Sequence, residues 1–349
     1  MNYDEGRAQY PVLERIAYLN AGTNGPLARA TVEAMTEQLE RDLHFGRGSR
    51  EYFESMLTRR EDARGRLAAV LNVEPELVAL ASSTTRGCNT VVAGLDLTPE
   101  DEIVTTDSEH FGLIGPLHAS RARVVVAAPD EESILAAVTP RTRLIAVSHV
   151  LWTTGRCLDV ARLREDARLP VLVDGAQSAG AIRVDAAVAD FYTVSAQKWL
   201  CAPEPSGALY VADPERLRVA APSYGSQLAH EPTGAFTPAE GAKRFDSGWI
   251  NVPTLAGLIV ALDVHPEWSY ARAAEMAARC RELLATRFAL ADGDATLVSF
   301  HADDPDAAVA RLAEAGVVVR AVPGRDLVRV SCGYWTSEAD LTGLLDALA

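Results

Sequence analysis

Residues 171–200, VLVDGAQSAGAIRVDAAVADFYTVSAQKWL, divide into two short β-rich runs and the polar turns that end them. Val171, Leu172 and Val173 are stopped by Asp174 and Gly175, and Phe191 to Ser195 stops shortly before Lys198. Unbroken apolar runs of this length suit strands buried on both faces, as in a parallel sheet covered by helices. In an open α/β sheet, groups just past the carboxyl ends of the strands line the ligand crevice. The stretch therefore predicts a carboxylate and an amine on neighbouring strand ends.

Arginine supplies nearly all the positive charge: of 33 Lys+Arg, only Lys198 and Lys243 are lysine. Arginine cannot become a neutral nucleophile, whereas a partly buried lysine can lose its proton and form a Schiff base. A surface lysine is the ordinary alternative, and only the neighbours decide between the two. Asp174 in a low-dielectric crevice needs a cationic or hydrogen-bonding partner. A helix cap would satisfy it, and so would a ligand pyridinium nitrogen, the pairing that makes pyridoxal phosphate an electron sink.

Outward from this stretch, strand-like runs at 78–82, 102–106, 123–128 and 143–148 alternate with helical patterns, which predicts βαβ units and a largely parallel sheet. GALYV at 207–211 adds a strand that suits an antiparallel partner. Upstream, YLNAGTNGPL breaks the pattern before an amphipathic helix over 28–43, and a second helix covers 52–71. Residues 224–245 read as loop. A helical pattern over 252–290 leads into strand 295–300, helix 305–315, strands 316–322 and 327–332, and helix 337–348. The expected organisation is an N-terminal segment, 1–20, packing with the small domain, a large domain, 21–255, and a smaller C-terminal α/β domain, 256–349. A crevice between two such domains is the natural ligand site.

With 349 residues and 48% hydrophobic content the chain can bury one large core and a smaller one. A net charge of -15 argues against a nucleic-acid binder or an anionic-membrane surface protein, while leaving room for a small anion held locally. The five cysteines are scattered without a CxxC pair, so neither a metal nor a disulfide framework is expected, and the setting reads as reducing and cytoplasmic. The first twenty residues lack the basic and apolar blocks of a signal peptide, and no run approaches the ~18 apolar residues of a spanning helix.

Other polar groups fall at strand ends. Ser82-Ser83-Thr84-Thr85-Arg86-Gly87 opens a helix, and hydroxyls with free N–H groups at a helix start suit a phosphate as well as an ordinary cap. Ser108-Glu109-His110-Phe111 follows the strand at 102–106, and His149 ends another; either histidine suits a structural hydrogen bond as readily as ligand chemistry. Neither GxxxxGK[ST] nor GxGxxG is present, which counts against a nucleotide-dependent α/β enzyme.

VLVDGAQSAG followed by DFYTVSAQKWLCAPEPSGALYV resembles the core of the class V aminotransferases, which include cysteine desulfurases, cystine C-S lyases and isopenicillin-N epimerases. YLNAGTNGP, SSTTRGCN, the SEH loop, SHVLWTTG, FDSGW and VRVSCGYWT fall in that family's order, so the resemblance spans almost the whole chain. It implies the pyridoxal-phosphate-dependent transferase fold of aspartate aminotransferase, fold type I, with a large, mostly parallel mixed sheet and a smaller α/β domain. It further implies pyridoxal 5'-phosphate as cofactor, in Schiff-base linkage to Lys198, with Asp174 on the pyridine nitrogen and His110 stacked on the ring. Gln177 would approach the phenolate oxygen, and Thr84, Thr85, Ser195 and Gln197 match phosphate-binding positions. Arg329 matches the residue that grips the substrate α-carboxylate, a task suited to its forked geometry. Asn20 and Trp152 are further candidate substrate contacts. The FDSGW segment implies a homodimer in which Ser247 or Trp249 reaches the partner's cofactor site.

Two departures narrow the expectation. Residues 318–329, VVRAVPGRDLVR, contain no cysteine where desulfurases carry a nucleophilic one, and Cys332 lies inside a probable core strand. Trp152 or Thr153 stands where desulfurases tend to show asparagine. The expected activity is Cβ–S cleavage of a cysteine-derived amino acid. Transamination or epimerisation of a small amino acid, and a catalytically silent binding protein on the same fold, are the alternatives.

Overall fold

The computed structural model describes every residue, Met1–Ala349. Fourteen strands form in chain order: β1 (Ala17–Tyr18), β2 (Val78–Ala81), β3 (Glu102–Thr106), β4 (Arg123–Ala127), β5 (Thr142–Ser148), β6 (Val171–Asp174), β7 (Phe191–Ser195), β8 (Gly207–Val211), β9 (Gln227–His230), β10 (Phe236–Pro238), β11 (Leu297–His301), β12 (Val317–Val318), β13 (Arg320–Ala321) and β14 (Leu327–Ser331). The α-helices are α1 (Tyr3–Ala8), α2 (Arg29–Phe45), α3 (Arg50–Leu71), α4 (Thr84–Gly94), α5 (Phe111–Ala119), α6 (Glu131–Ala136), α7 (Val160–Ala167), α8 (Val252–Val264), α9 (Ser269–Leu284), α10 (Pro305–Glu314) and α11 (Glu338–Ala347).

Seven strands make the large sheet, in the order β2-β8-β7-β6-β5-β3-β4. All neighbours run parallel except β8, which is antiparallel to both β2 and β7. Successive residues of the central strands feed opposite faces. Val171 and Val173 join a cluster with α3, α6, α7 and α8, while Leu172 joins α4 and α5 on the other side. This two-sided burial explains why these strands read as continuous apolar runs, and each such side chain contributes roughly 1.5–3 kcal/mol. Asp174 and Ser195 end adjacent strands, with Asp174 in register with Thr193 and, on its other side, Ser148. Gly175 is required where it stands, because a Cβ there would overlap Tyr192 and come 2.5 Å from the Thr193 carbonyl.

The second sheet, β11-β14-β13, is antiparallel and packs with α9, α10 and α11 around Met276, Phe300, Val328 and Leu341. The N-terminal segment lies on it: β1 pairs in parallel with β12, and the Tyr10 hydroxyl meets that of Tyr334 at 2.7 Å. A mixed cluster including Trp199, Cys201, Leu297 and Trp335 joins this unit to the lysine-bearing end of the large sheet.

Three expectations change. The helical pattern over 252–290 is two helices, broken at His265-Pro266, where proline both lacks an N–H and pushes the residue before it out of helical backbone. The strand over 316–322 is also two: Val317 and Val318 pair with β1, whereas Arg320 and Ala321 pair with β14. The loop at 224–245 holds a small hairpin, β9 with β10.

Candidate active site

Lys198 sits in the loop after β7, its amine enclosed by the crevice. Burial pulls the amine down to about 8; the Asp174 carboxylate opposes that shift, and the Arg329 and Arg320 guanidinium groups reinforce it. Asp174, at the end of β6, is 4% exposed and accepts one hydrogen bond, from Ala176 N–H at 2.9 Å. Burial raises its carboxyl, while Lys198 and His110 draw it back. No arginine pairs with it. A carboxylate this buried, and this poorly compensated, suits a cationic ring nitrogen.

His110 is the N-cap of α5, its Nδ1 accepting from Gly112 N–H at 3.0 Å, an arrangement that leaves Nε2 to carry the proton of the neutral ring. Burial lowers its pKa, and Lys198 lowers it further. The ring stands edge-on to Trp152, centroids 5.2 Å apart. Glu109, beside it, is lifted to about 7 by burial, against hydrogen bonds donated by Ser148 and the Thr106 hydroxyl.

At the start of α4, Thr84 N–H donates to Ser195 Oγ at 3.0 Å and their hydroxyls meet at 2.8 Å, while Ser83 caps the helix. Thr85 is exposed at the same end. The buried Gln197 Oε1 has no partner. A helix N-terminus with clustered hydroxyls suits a phosphate. Gln177 is already engaged at both ends of its amide: Nε2 donates to the Gly22 carbonyl at 2.9 Å, and Oε1 accepts from Trp199 Nε1 at 3.0 Å. One Nε2 hydrogen is left for a ligand.

Arg329 on β14 is 1% exposed and faces no protein carboxylate. Its Nη1 donates to the Trp152 carbonyl at 2.9 Å and its Nη2 reaches Thr23 Oγ1 at 3.4 Å; its Nε, like Trp152 Nε1, has no partner. Burial depresses its pKa to about 9, with Arg320 adding to the effect. Asn20 stands one layer back, its Oδ1 accepting from Thr23 Oγ1 at 2.8 Å. Ser247 and Trp249 lie elsewhere. Ser247 is tied to the Leu80 carbonyl, and Trp249, 46% exposed, packs on Phe53 and Tyr224 with Arg60 over its ring. An open cavity of ≈ 820 Å³ beside Trp249 is lined by α2 and α3 and includes neither Lys198 nor Arg329.

Arg320 was not singled out from sequence. It is the cross-strand partner of Arg329, and its Nη1 donates to Thr23 Oγ1 at 3.1 Å, so two guanidinium groups converge on one threonine. A signal existed: Arg320 and Arg329 stand symmetrically about Gly324-Arg325, the centre of a hairpin turn.

The arrangement offers a buried amine that gives up its proton readily, a buried carboxylate, an anion cradle and an unpaired guanidinium pair, which together fit pyridoxal phosphate carrying a carboxylate-bearing substrate. A family model described as aminotransferase class-V matches residues 17–334. Isopenicillin N epimerase of Streptomyces clavuligerus is 28% identical over 96% of this chain and 88% of its own. Cysteine desulfurase CsdA of Escherichia coli (strain K12) is 30% identical over 90% and 86%. The solved complex of the cystine C-S lyase C-DES with its reaction product cysteine persulfide has a TM-score of 0.88 at 29% identity, covering 97% of this chain and 99% of that one. A C-DES mutant with glycine covalently linked to the PLP cofactor gives 0.90 at 29% identity, covering 98% of each. The chain belongs to the class V aminotransferase family and is a pyridoxal-phosphate-dependent enzyme of fold type I.

Proposed function

We propose that this enzyme is a C–S lyase that cleaves the Cβ–S bond of a cysteine-derived amino acid, with cystine the best-fitting substrate. The observation that carries this reading is the Arg320/Arg329 pair, two guanidinium groups converging without a protein carboxylate. One suits an α-carboxylate gripped bidentately; the second suits the far carboxylate of a disulfide amino acid. The hairpin joining them carries no cysteine, so sulfur released from the substrate has no nucleophile there to receive it.

Pyridoxal phosphate supplies an electrophilic aldehyde and a sink for the electrons left at Cα. When the cofactor is bound, Asp174 would balance the positive charge of its ring nitrogen and His110 would lie against its ring. Thr84, Thr85, Ser195, Gln197 and the α4 N-terminus would hold the phosphate, and the free N–H of Gln177 would be available to the phenolate. Arg329 orients the substrate, with Trp152 and Asn20, through Thr23, fixing the guanidinium. The Lys198 amine takes the Cα proton. Loss of the sulfur leaving group from Cβ then yields, with water, pyruvate, ammonia and cysteine persulfide from cystine.

We take residues 21–255 as the cofactor-binding domain and 256–349 as the smaller one, with 1–20 attached to the latter, and place the enzyme in a reducing cytoplasm, in keeping with its unpaired cysteines. No helix is long and apolar enough to cross a membrane. A second copy of the chain fits the apolar face formed by Leu39, Leu43, Phe45, Phe53 and Trp249, with Ser247 or Trp249 reaching the partner's phosphate; sedimentation as a monomer would remove that arrangement. Transamination or epimerisation remains the second reading, favoured by the likeness to isopenicillin N epimerase.

The test compares L-cystine with S-methyl-L-cysteine, which lacks the second carboxylate. Arg320→Met is expected to lower kcat/KM for cystine by about 30-fold while changing S-methylcysteine by less than about 3-fold. Equal losses on both substrates would sink the two-carboxylate assignment, and no pyruvate from either would sink the lyase.

A further inference from the structure

The hairpin that carries the two arginines is fastened at its tip to the opposite wall of the crevice. Val322 N–H bonds the Leu327 carbonyl at 2.9 Å and Arg325 N–H bonds that of Val322 at 3.1 Å, closing a tight turn in which Gly324 takes φ +73°. From this tip Arg325 Nη2 reaches across to the Asp107 carbonyl at 3.3 Å and to Ser108 Oγ at 3.2 Å. Ser108 Oγ in turn donates to Asp107 Oδ1 at 2.8 Å.

What Arg325 touches is the loop that delivers His110. That loop is itself held from below, because Glu109 accepts hydrogen bonds from Thr106 at the end of β3 and from Ser148 at the end of β5. The contacts continue: His110 abuts Trp152, the Trp152 carbonyl accepts from Arg329, and Arg329 returns to the hairpin. The result is a closed circuit around the mouth of the crevice, one arc from each sheet.

We propose that Arg325 is a positioning residue, a clip that holds the Arg320/Arg329 hairpin against the His110 loop so that carboxylate capture and ring cover are set together. The proposal rests on Arg329 being the carboxylate grip. Arg325 is exposed and bonds a carbonyl and a hydroxyl rather than a carboxylate, so each contact is weak and the clip opens readily to admit substrate. Its energy then acts on the population of the docked hairpin, and hence on substrate affinity rather than on the chemical step.

The test uses holoenzyme and L-cystine. Arg325→Met is expected to raise KM by about 5-fold with kcat within about 2-fold, and to accelerate amide hydrogen exchange over residues 322–327. Ser108→Ala removes one of the two contacts from the other side; it should move KM in the same direction by less, with the double variant no worse than Arg325→Met alone. Arg325→Lys should restore part of the loss. Arg329→Met is the control that separates the two ideas. If it leaves KM unchanged, the carboxylate grip itself is wrong. If it raises KM while Arg325→Met changes neither KM nor exchange, the grip stands and the clip is overturned. A fall in kcat alone on Arg325→Met also overturns it.

Discussion

Burial of the Lys198 amine creates a pH window that the apoprotein can report. Its folded pKa, about 8, lies below the ordinary value of 10.5, so the unfolded chain binds more protons between those values and stability rises with pH across the window. Below about pH 8 the buried charge costs up to about 3 kcal/mol, with the attraction of Asp174 already counted in that figure. Apoprotein Lys198→Met is therefore expected to melt above wild-type apoprotein at pH 7, with the advantage shrinking toward pH 10. Thermal melts at several pH values check this; a variant no more stable at pH 7 would show that the amine is solvated. At this scale the sequence was legible in placement, since Asp174 ends one strand and Lys198 follows its neighbour, as their positions after apolar runs implied. Arg320 was not, because its significance comes from cross-strand pairing with Arg329, nine residues away in sequence. Gln177 was legible in place but not in partners: its engagement by Gly22 and Trp199 depends on a loop folding back from the other end of the chain.

Among elements, the segment bearing Ser247 and Trp249 is anchored by a buried charge cluster. Asp246, 2% exposed, accepts from Arg60 Nη2 at 2.6 Å, Arg64 Nη2 at 2.9 Å and Leu80 N–H at 2.8 Å. Arg60 also donates to the Gly248 carbonyl at 3.2 Å, so helix α3 holds the segment from two sides. Asp246→Asn would leave Arg60 buried without a counter-charge and Arg64 with only the half-exposed Glu61, and the expected loss is about 3–5 kcal/mol in urea unfolding. A loss below about 1 kcal/mol would mean that water relaxes into the cluster. None of this was visible in sequence, where α3 reads simply as an Arg- and Glu-rich helix. The sheet strands were legible because two-sided burial writes itself as apolar runs. The strand at 316–322 was drawn as one because its apolar run, broken only by Arg320, carries no turn residue after Gly316, whereas its strand partners change around Val319.

For the whole molecule, the order of motifs along the chain indicated the fold, since most of them lie at or just past strand ends, which an α/β sheet gathers along one crevice; FDSGW is the exception. Cofactor identity follows from that convergence. The bond that breaks does not, because elimination, transamination and epimerisation share the same amine, carboxylate and phosphate cradle. The unpaired arginines and the short, cysteine-free hairpin tip the choice toward elimination from a disulfide amino acid whose persulfide product leaves unaided. Holoenzyme mixed with L-cystine, with pyruvate, persulfide sulfur and pyridoxamine phosphate measured together, tests this most directly. Pyruvate and persulfide in equal amounts, with the cofactor remaining as pyridoxal phosphate, is the expected result; accumulation of pyridoxamine phosphate without pyruvate would contradict it.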